Sequence, residues 1–259
     1  MLRADGIVRV AGRRRILDAV SVAFEPGRIN LIVGANGAGK STLLKVLSGQ
    51  TRSDAGSVHY GDVEISSLSP RRLARMRAIL SQHMEIAFPL RVDEVVMMGR
   101  YPHVEGRPSA RDEAICAEVM ELFDVAEMAH RDFSTLSGGE QQRVHFARVL
   151  AQIRVPEAGP GRYLFLDEPL TFLDVFHQIE FMRTLQSLVR REGVVVAGVV
   201  HDLNLAARFG EHLVLLHEGR VLASGPRDAV LTPENVSAAF RLTPTILRST
   251  TGHPVLLFE

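Results

Sequence analysis

Gly34-Ala35-Asn36-Gly37-Ala38-Gly39-Lys40-Ser41-Thr42 is the stretch that decides the fold. The largely apolar Ile29-Asn30-Leu31-Ile32-Val33 leads into it, and Leu43, Leu44, Val46 and Leu47 follow at helical spacing, so the order reads strand, loop, helix. In the pattern G-x-x-x-x-G-K-S the glycines let successive backbone N–H groups converge on phosphate oxygens, and the helix adds the positive end of its dipole. Lys40 is then expected at the β- and γ-phosphates of a nucleotide and Ser41 on Mg²⁺, with Gly34, Asn36, Gly37, Ala38, Gly39 and Thr42 completing the cradle. A glycine-rich turn that merely starts a helix would not need the Lys-Ser pair.

Two further apolar runs end in chemistry. Tyr163-Leu164-Phe165-Leu166 reads as a strand buried on both faces and ends in Asp167-Glu168-Pro169. Two acids at the end of a buried strand need a cation or a catalytic role. Asp167 suits the Mg²⁺ shell, and Glu168 suits the base that activates a water. The third run, residues 194–200, ends in His201-Asp202. Ligands of open parallel sheets bind beyond the carboxyl ends of the strands, which makes His201 a candidate γ-phosphate contact rather than a structural histidine.

Composition limits the alternatives. The 259 residues, 46% of them hydrophobic, suffice for one sizeable α/β domain carrying an insertion. Thirty basic residues balance thirty acidic ones, which argues against a surface built to neutralise nucleic acid; the clusters Arg13-Arg14-Arg15 and Arg71-Arg72 read as solvated faces. The single cysteine, Cys116, excludes an internal disulfide framework and is expected as a small buried apolar residue. The longest aliphatic run is too short to cross a bilayer, and no signal-peptide pattern opens the chain, so a soluble, cytoplasmic chain is expected.

Leu136-Ser137-Gly138-Gly139-Glu140-Gln141-Gln142-Arg143 precedes a helical pattern with Val144, Ala147, Leu150 and Ala151 on one side, and Ser137 and Glu140 stand at capping-box spacing. The succession of phosphate loop, Leu-Ser-Gly-Gly-Glu, acid-ending strand and histidine resembles the nucleotide-binding subunits of ABC transporters over essentially the whole chain. The resemblance implies a P-loop NTPase fold of RecA-like α/β type, with an inserted helical subdomain and a small antiparallel β part, and an ATP hydrolase coupled to transport. It implies a homodimer in which Ser137, Gly138, Gly139 and Glu140 of one copy close over ATP held by Lys40 of the other. By motif, Gln82 in Ile79-Leu80-Ser81-Gln82 corresponds to the glutamine that senses Mg²⁺ and the attacking water, and Asp174 in Thr171-Phe172-Leu173-Asp174 to the aspartate of the D-loop. The chain departs from the family in two places: residues 7–16 lack the aromatic that stacks on adenine, and residues 168–174 depart from the usual wording, which implies altered packing around Asp174.

A single ABC ATPase domain is expected over residues 1–259. Residues 1–82 and 152–259 form its nucleotide-binding core and β part, and residues 83–151 the helical subdomain with the signature helix. The periodicity of Val92, Val95 and Val96 and of Ile115, Val119, Leu122 and Phe123 predicts two helices in the latter, linked by the Gly/Pro-bearing residues 99–108. Residues 213–222 read as two short strands around a turn.

Within the family, Phe88-Pro89-Leu90-Arg91-Val92, Val95-Val96-Met97-Met98-Gly99-Arg100-Tyr101-Pro102-His103, Leu150-Ala151-Gln152 and His201-Asp202-Leu203-Asn204-Leu205-Ala206-Ala207 resemble ATPases of the iron-siderophore, haem and vitamin B12 importers, haem importers most. The partners so implied are two copies of a separate membrane permease and, indirectly, a periplasmic or surface substrate-binding protein. The place implied is the cytoplasmic face of the bacterial inner membrane. His83, Met84, Met97, Met98 and His103 have haem-ligand chemistry, yet a methionine-bearing surface that seats a permease helix explains them better, and no direct haem contact is expected. A DNA-repair ATPase would insert a coiled coil or a cysteine cluster, a translation factor of this class would carry two motif sets, and a small-molecule kinase would lack Leu-Ser-Gly-Gly-Glu.

Overall fold

The computed structural model describes residues 1–81, 86, 88–155, 161–171 and 173–258. Along the chain come β1 (Leu2–Ala11), β2 (Arg14–Phe24), β3 (Ile29–Val33), α1 (Lys40–Leu47), β4 (Ala55–Tyr60), β5 (Val63–Glu64), α2 (Pro70–Met76) and β6 (Arg77–Leu80). Next are α3 (Val92–Met97), α4 (Ala110–Leu122), α5 (Gly138–Ile153), β7 (Tyr163–Asp167), α6 (Val175–Glu192), β8 (Val195–Val199) and α7 (Leu203–Phe209). The chain closes with β9 (His212–His217), β10 (Arg220–Gly225), α8 (Arg227–Val230), α9 (Pro233–Phe240), β11 (Thr245–Arg248) and β12 (Pro254–Leu257).

The central sheet has the order β10-β9-β3-β8-β7-β6. Its strands run parallel except β10, which turns back antiparallel along β9 at the edge. Every residue of β3, β7 and β8 is buried, which explains why their sequences are apolar without alternation. The period of two survives in what each side chain touches. Leu31, Val33, Leu164, Leu166 and Val196 join a core under the helices, whereas Ile32, Tyr163, Phe165, Ala197 and Val199 join a second core. That second core is closed by α1 and by the antiparallel sheet β2-β1-β4-β5. Helix α1 is thereby held between two sheets, with its N-terminus at the end of the central strand.

Helices α3, α4 and α5 pack together beyond β6. Ser137 starts α5 with the capping box its sequence predicts, and Val144, Ala147, Leu150 and Ala151 are buried. Gly99 lets the chain after α3 lie on α5 backbone to backbone, because a Cβ there would stand 2.1 Å from the Arg148 carbonyl oxygen. Next to it, Arg100 Nε donates to Asp112 Oδ1 at 2.9 Å, a buried ion pair, and Arg100 Nη1 donates to the Ala151 carbonyl at 2.7 Å. Burial works against the Asp112 carboxylate, but the Ser109 and Arg100 donors outweigh it and hold the carboxyl at about 2. Leu122, expected on the buried face of α4, is instead 45% exposed. The buried stripe runs Asp112, Ile115, Cys116, Val119, Met120, and Leu122 ends the helix beside it. Cys116 is buried as expected, and burial pushes its thiol up to about 11.

Strands β9 and β10 match the predicted pair around a turn. The C-terminal part was not legible in the sequence: α8 and α9 lead to the hairpin β11–β12, and β12 packs on α7. Among the described residues no helix is long and apolar enough to cross a membrane.

Candidate active site

Three strand ends meet at the site, since β3, β8 and β7 are neighbours in the parallel sheet and all leave it at the same edge. After β3 the chain must turn sharply under β9. Gly34 has φ 152°, and a Cβ on it would lie 2.3 Å from the Leu216 carbonyl oxygen. Gly39, at φ 102°, starts α1 against Leu17 and the Ile16 carbonyl. No side chain caps α1 and no acid occupies its first turn, so its leading N–H groups remain for an anion. Asn36, Gly37 and Ala38 span the loop between, and Ala38 O accepts from Gly219 N at 3.1 Å, which pins the loop to the β9–β10 turn.

Lys40 is 5% exposed, and its Nζ donates to the carbonyls of Gly34 at 2.9 Å and Ala35 at 3.1 Å, folding the ammonium over the loop. Burial draws its pKa below the ordinary lysine value, opposed by the Glu168 and Asp167 charges. Ser41, the next residue, donates from Oγ to Asp167 Oδ1 at 3.0 Å. Asp167 is 8% exposed and its carboxyl is raised by that burial, with the Ser41 bond opposing. A buried carboxylate beside a serine hydroxyl and the open end of a phosphate loop supplies the hard oxygen donors that suit Mg²⁺. Thr42 follows Ser41 in the first turn of α1.

Glu168 adopts φ 52°, left-handed backbone that costs a non-glycine residue about 1–2 kcal/mol. Its N–H donates to the Val199 carbonyl at 3.2 Å and its carbonyl accepts from Thr171 Oγ1 at 3.0 Å, so both neighbours hold the turn. The turn aims the side chain across the sheet edge, where Glu168 Oε1 lies 2.5 Å from His201 Nε2. Strain kept at such a position marks a site where geometry outranks stability. His201 itself leaves the end of β8 and is 46% exposed on its side chain.

Ser137 Oγ and the Ser137 N–H each donate to Glu140 Oε2 at 2.7 Å, and the Glu140 N–H returns to Ser137 Oγ at 3.4 Å. These Ser137 donors hold the Glu140 carboxyl below its usual value. Ser137 and Gly138 face solvent and Gly139 is half-exposed, at the tip of α5.

A family model described as ABC transporter matches residues 17–171. The hemin import ATP-binding protein HmuV of Agrobacterium fabrum is 42% identical over 98% of this chain and 96% of its own length. Its namesake in Gloeobacter violaceus is 45% identical over 99% of this chain and 91% of its own. The chain belongs to the ABC transporter family. Among solved structures, an ATP-binding cassette in its ADP conformation superposes with TM-score 0.80 at 23% identity, covering 92% of this chain and 97% of its own. A dimeric bacterial ABC transporter cassette gives 0.76 at 24%, covering 88% and 99%. At these identities the two structures establish the fold alone, the α/β fold expected from the sequence.

As an ABC ATPase, the chain binds nucleotide and hydrolyses ATP in the service of transport. Asp174 caps α6 by accepting from the His177 N–H at 2.9 Å, and that backbone donor holds its carboxyl below the usual range. It lies exposed beside the exposed Val175 and Phe176. Three amides, not singled out in the sequence, brace this region. Gln142 Nε2 donates to the Pro169 carbonyl at 2.7 Å, joining the signature helix to the Glu168 turn. Gln178 Nε2 does the same for the Leu170 and Leu173 carbonyls, and Asn204 is bonded to β12. Nothing local in the sequence distinguishes such amides from solvated ones. Gln82, His83, Met84 and Phe172 lie outside the described residues. Of the remaining haem-ligand types, His103 Nε2 lies 2.8 Å from the Gln152 carbonyl and Met97 packs on the core near Cys116. Where an adenine-stacking aromatic is lacking, Arg15 and Arg220 both donate to Asp18 beside the loop, tying β2 to the β9–β10 turn.

Proposed function

We propose that this chain is the ATP-hydrolysing subunit of a hemin importer. The observation that carries the cargo is that relatives 42% and 45% identical over nearly their full lengths are named hemin import ATP-binding proteins.

The loop at residues 34–42 binds the phosphates of ATP through its N–H groups and Lys40. Ser41 and Asp167 would hold Mg²⁺, which would supply positive charge against the phosphates. Glu168 accepts a proton from the attacking water at its carboxylate, and His201, bonded to that carboxylate, orients it and contacts the γ-phosphate. By its motif alone, Gln82 is assigned to sensing Mg²⁺ and the attacking water. Two chains pair as a homodimer. The exposed Ser137 and Gly138, with Gly139 and Glu140, of each copy cover ATP on the other, and Asp174 lies along the seam. The exposure of that tip supports the pairing, because it leaves the signature segment open to a second copy.

Closure moves residues 83–151 with the signature helix against the core formed by 1–82 and 152–259. Two copies of a permease take up that motion at the cytoplasmic face of the inner membrane, and a periplasmic or surface binding protein delivers hemin to the permease. The cleft of about 830 Å³ lined by Leu90, Arg91, Glu94, Met97, Tyr101 and Met120 suits an inserted permease helix, with methionines adaptable to its surface. The test is ATP turnover and uptake by the chain with its permease and binding protein in liposomes, supplied with hemin, a ferric siderophore or vitamin B12. Stimulation by hemin alone is expected; stimulation by another cargo instead overturns the hemin assignment.

A further inference from the structure

His201 is separated from β8 by one residue and from α7 by one more, so there is no slack between the strand, the histidine and the helix. Whatever sets the orientation of α7 therefore sets where the imidazole stands relative to Glu168. Helix α7 has seven residues, too few to be stable or oriented by itself. Its inward face, Leu203, Ala206, Ala207 and Phe209, is buried on the core. Asp202 caps it, accepting from the N–H groups of Asn204 at 2.7 Å and Leu205 at 3.1 Å.

The outward side of its first turn is gripped by the C-terminal hairpin. Asn204 Oδ1 accepts from the Leu256 N–H at 2.8 Å, and Asn204 Nδ2 donates to the Leu256 carbonyl at 3.1 Å. One side-chain amide thus satisfies both backbone groups of a single residue of β12, a two-point clamp that fixes direction as well as distance. Leu256 is itself 2% exposed and belongs to the core under the helices, so the clamp is anchored. The rest of the C-terminal part reinforces it: Arg248 pairs with Asp228 at 2.6 Å, and Arg227 Nη1 donates to the carbonyls of Ala207 at 3.1 Å and Arg208 at 3.0 Å at the far end of α7.

We infer that Asn204 is a positioning residue for ATP hydrolysis: by clamping α7 to β12 it holds His201 in register with Glu168, making the C-terminal hairpin part of the turnover machinery. This rests on the role given above to His201 and Glu168. It acts through α7 on His201, and the bonds that hold the phosphate loop, from Lys40 and from the Gly219 N–H, do not involve it, so it reaches kcat and leaves nucleotide binding alone.

The test is steady-state ATP hydrolysis by the full chain with Asn204→Ala, Asn204→Ser, His201→Ala and the His201/Asn204 double alanine variant, each with thermal unfolding. Asn235→Ala serves as control, because Asn235 Nδ2 makes a comparable amide-to-backbone bond to the Val230 carbonyl at 3.1 Å inside the C-terminal part, away from His201. A misplacement of order 1 Å at a reacting group costs up to about a hundredfold in rate. Asn204→Ala is expected to lower kcat about tenfold or more with the KM for ATP within twofold. Asn204→Ser, whose hydroxyl ends one bond short of the Leu256 backbone, shows the same loss, Asn235→Ala leaves kcat unchanged, and the double variant is no slower than His201→Ala. Unchanged kcat in Asn204→Ala, or an undiminished further drop on the His201→Ala background, overturns the inference while the site reading stands. A His201→Ala enzyme with native kcat overturns both, and is recognised by that single variant.

Discussion

Glu168→Gln isolates the chemistry from the architecture better than any other change at this site. Glutamine is the same size, and its amide oxygen stands where Oε1 does, so the contact with His201 Nε2 and the two bonds that hold the left-handed turn, to Val199 and Thr171, are all retained. What disappears is the basicity of one oxygen. General-base catalysis contributes about 10²- to 10⁴-fold, or about 3–5 kcal/mol of barrier, so kcat should fall by that factor. Nucleotide affinity should stay within about threefold, because the phosphate contacts rest on the loop and Lys40, whose bonds to Gly34 and Ala35 do not involve Glu168. The remaining influence is the Glu168 charge on Lys40, which is secondary to burial there. Phosphate release gives kcat, and titration with a fluorescent ATP analogue gives affinity. With hydrolysis blocked and binding intact, ATP should also drive the chain into dimers detectable by sedimentation. A kcat within threefold of the native value would refute the assignment of Glu168 as the base, and a collapse of affinity in parallel with kcat would show that its role is in the cradle.

Lys40→Ala removes a buried charge aimed along the phosphate loop and should weaken ATP binding at least tenfold in the same titration; an unchanged Kd contradicts the role. Gly34→Ala places a methyl 2.3 Å from the Leu216 carbonyl at a φ of 152°, and should lose at least about 1–3 kcal/mol of stability by chemical denaturation along with nucleotide affinity. Asp112→Ala strands the Arg100 guanidinium in the interior and should cost about 3–5 kcal/mol, read as a lowered Tm, with Lys40 and Glu168 untouched. Because the folded Asp112 carboxyl sits at about 2, below its ordinary 3.8, its contribution is present above pH 3.8 and is lost as pH falls toward 2; acid-denaturation curves of the Asp112→Ala chain should lack that component.

Much of the site was legible because local physics constrains it. The phosphate loop could be read residue by residue: its glycines answer to positive φ and to a carbonyl too close for a Cβ, and its lysine and serine to phosphate and cation. The capping box at Ser137 and Glu140 was legible for the same reason, since it closes within one helical turn. The apolar runs that became β3, β7 and β8 announced strands buried on both faces. Leu122 was misjudged because the apolar spacing runs on to the last residue of α4, past the buried stripe that ends at Met120.

The sequence by itself thus determined the phosphate-binding loop, the strand–acid and strand–histidine endings, and the start of the signature helix, all of them features whose hydrogen bonds or dihedral demands are satisfied within a few residues. Only the tertiary structure decided that Ser41 meets Asp167 across 126 residues, that Glu168 meets His201, and that Asn204 is clamped by Leu256. Those contacts depend on the order in which the strands pair and on a C-terminal hairpin folding back over α7, and strand order is set by how both faces of the central sheet are covered, a property of the whole core that no local pattern carries.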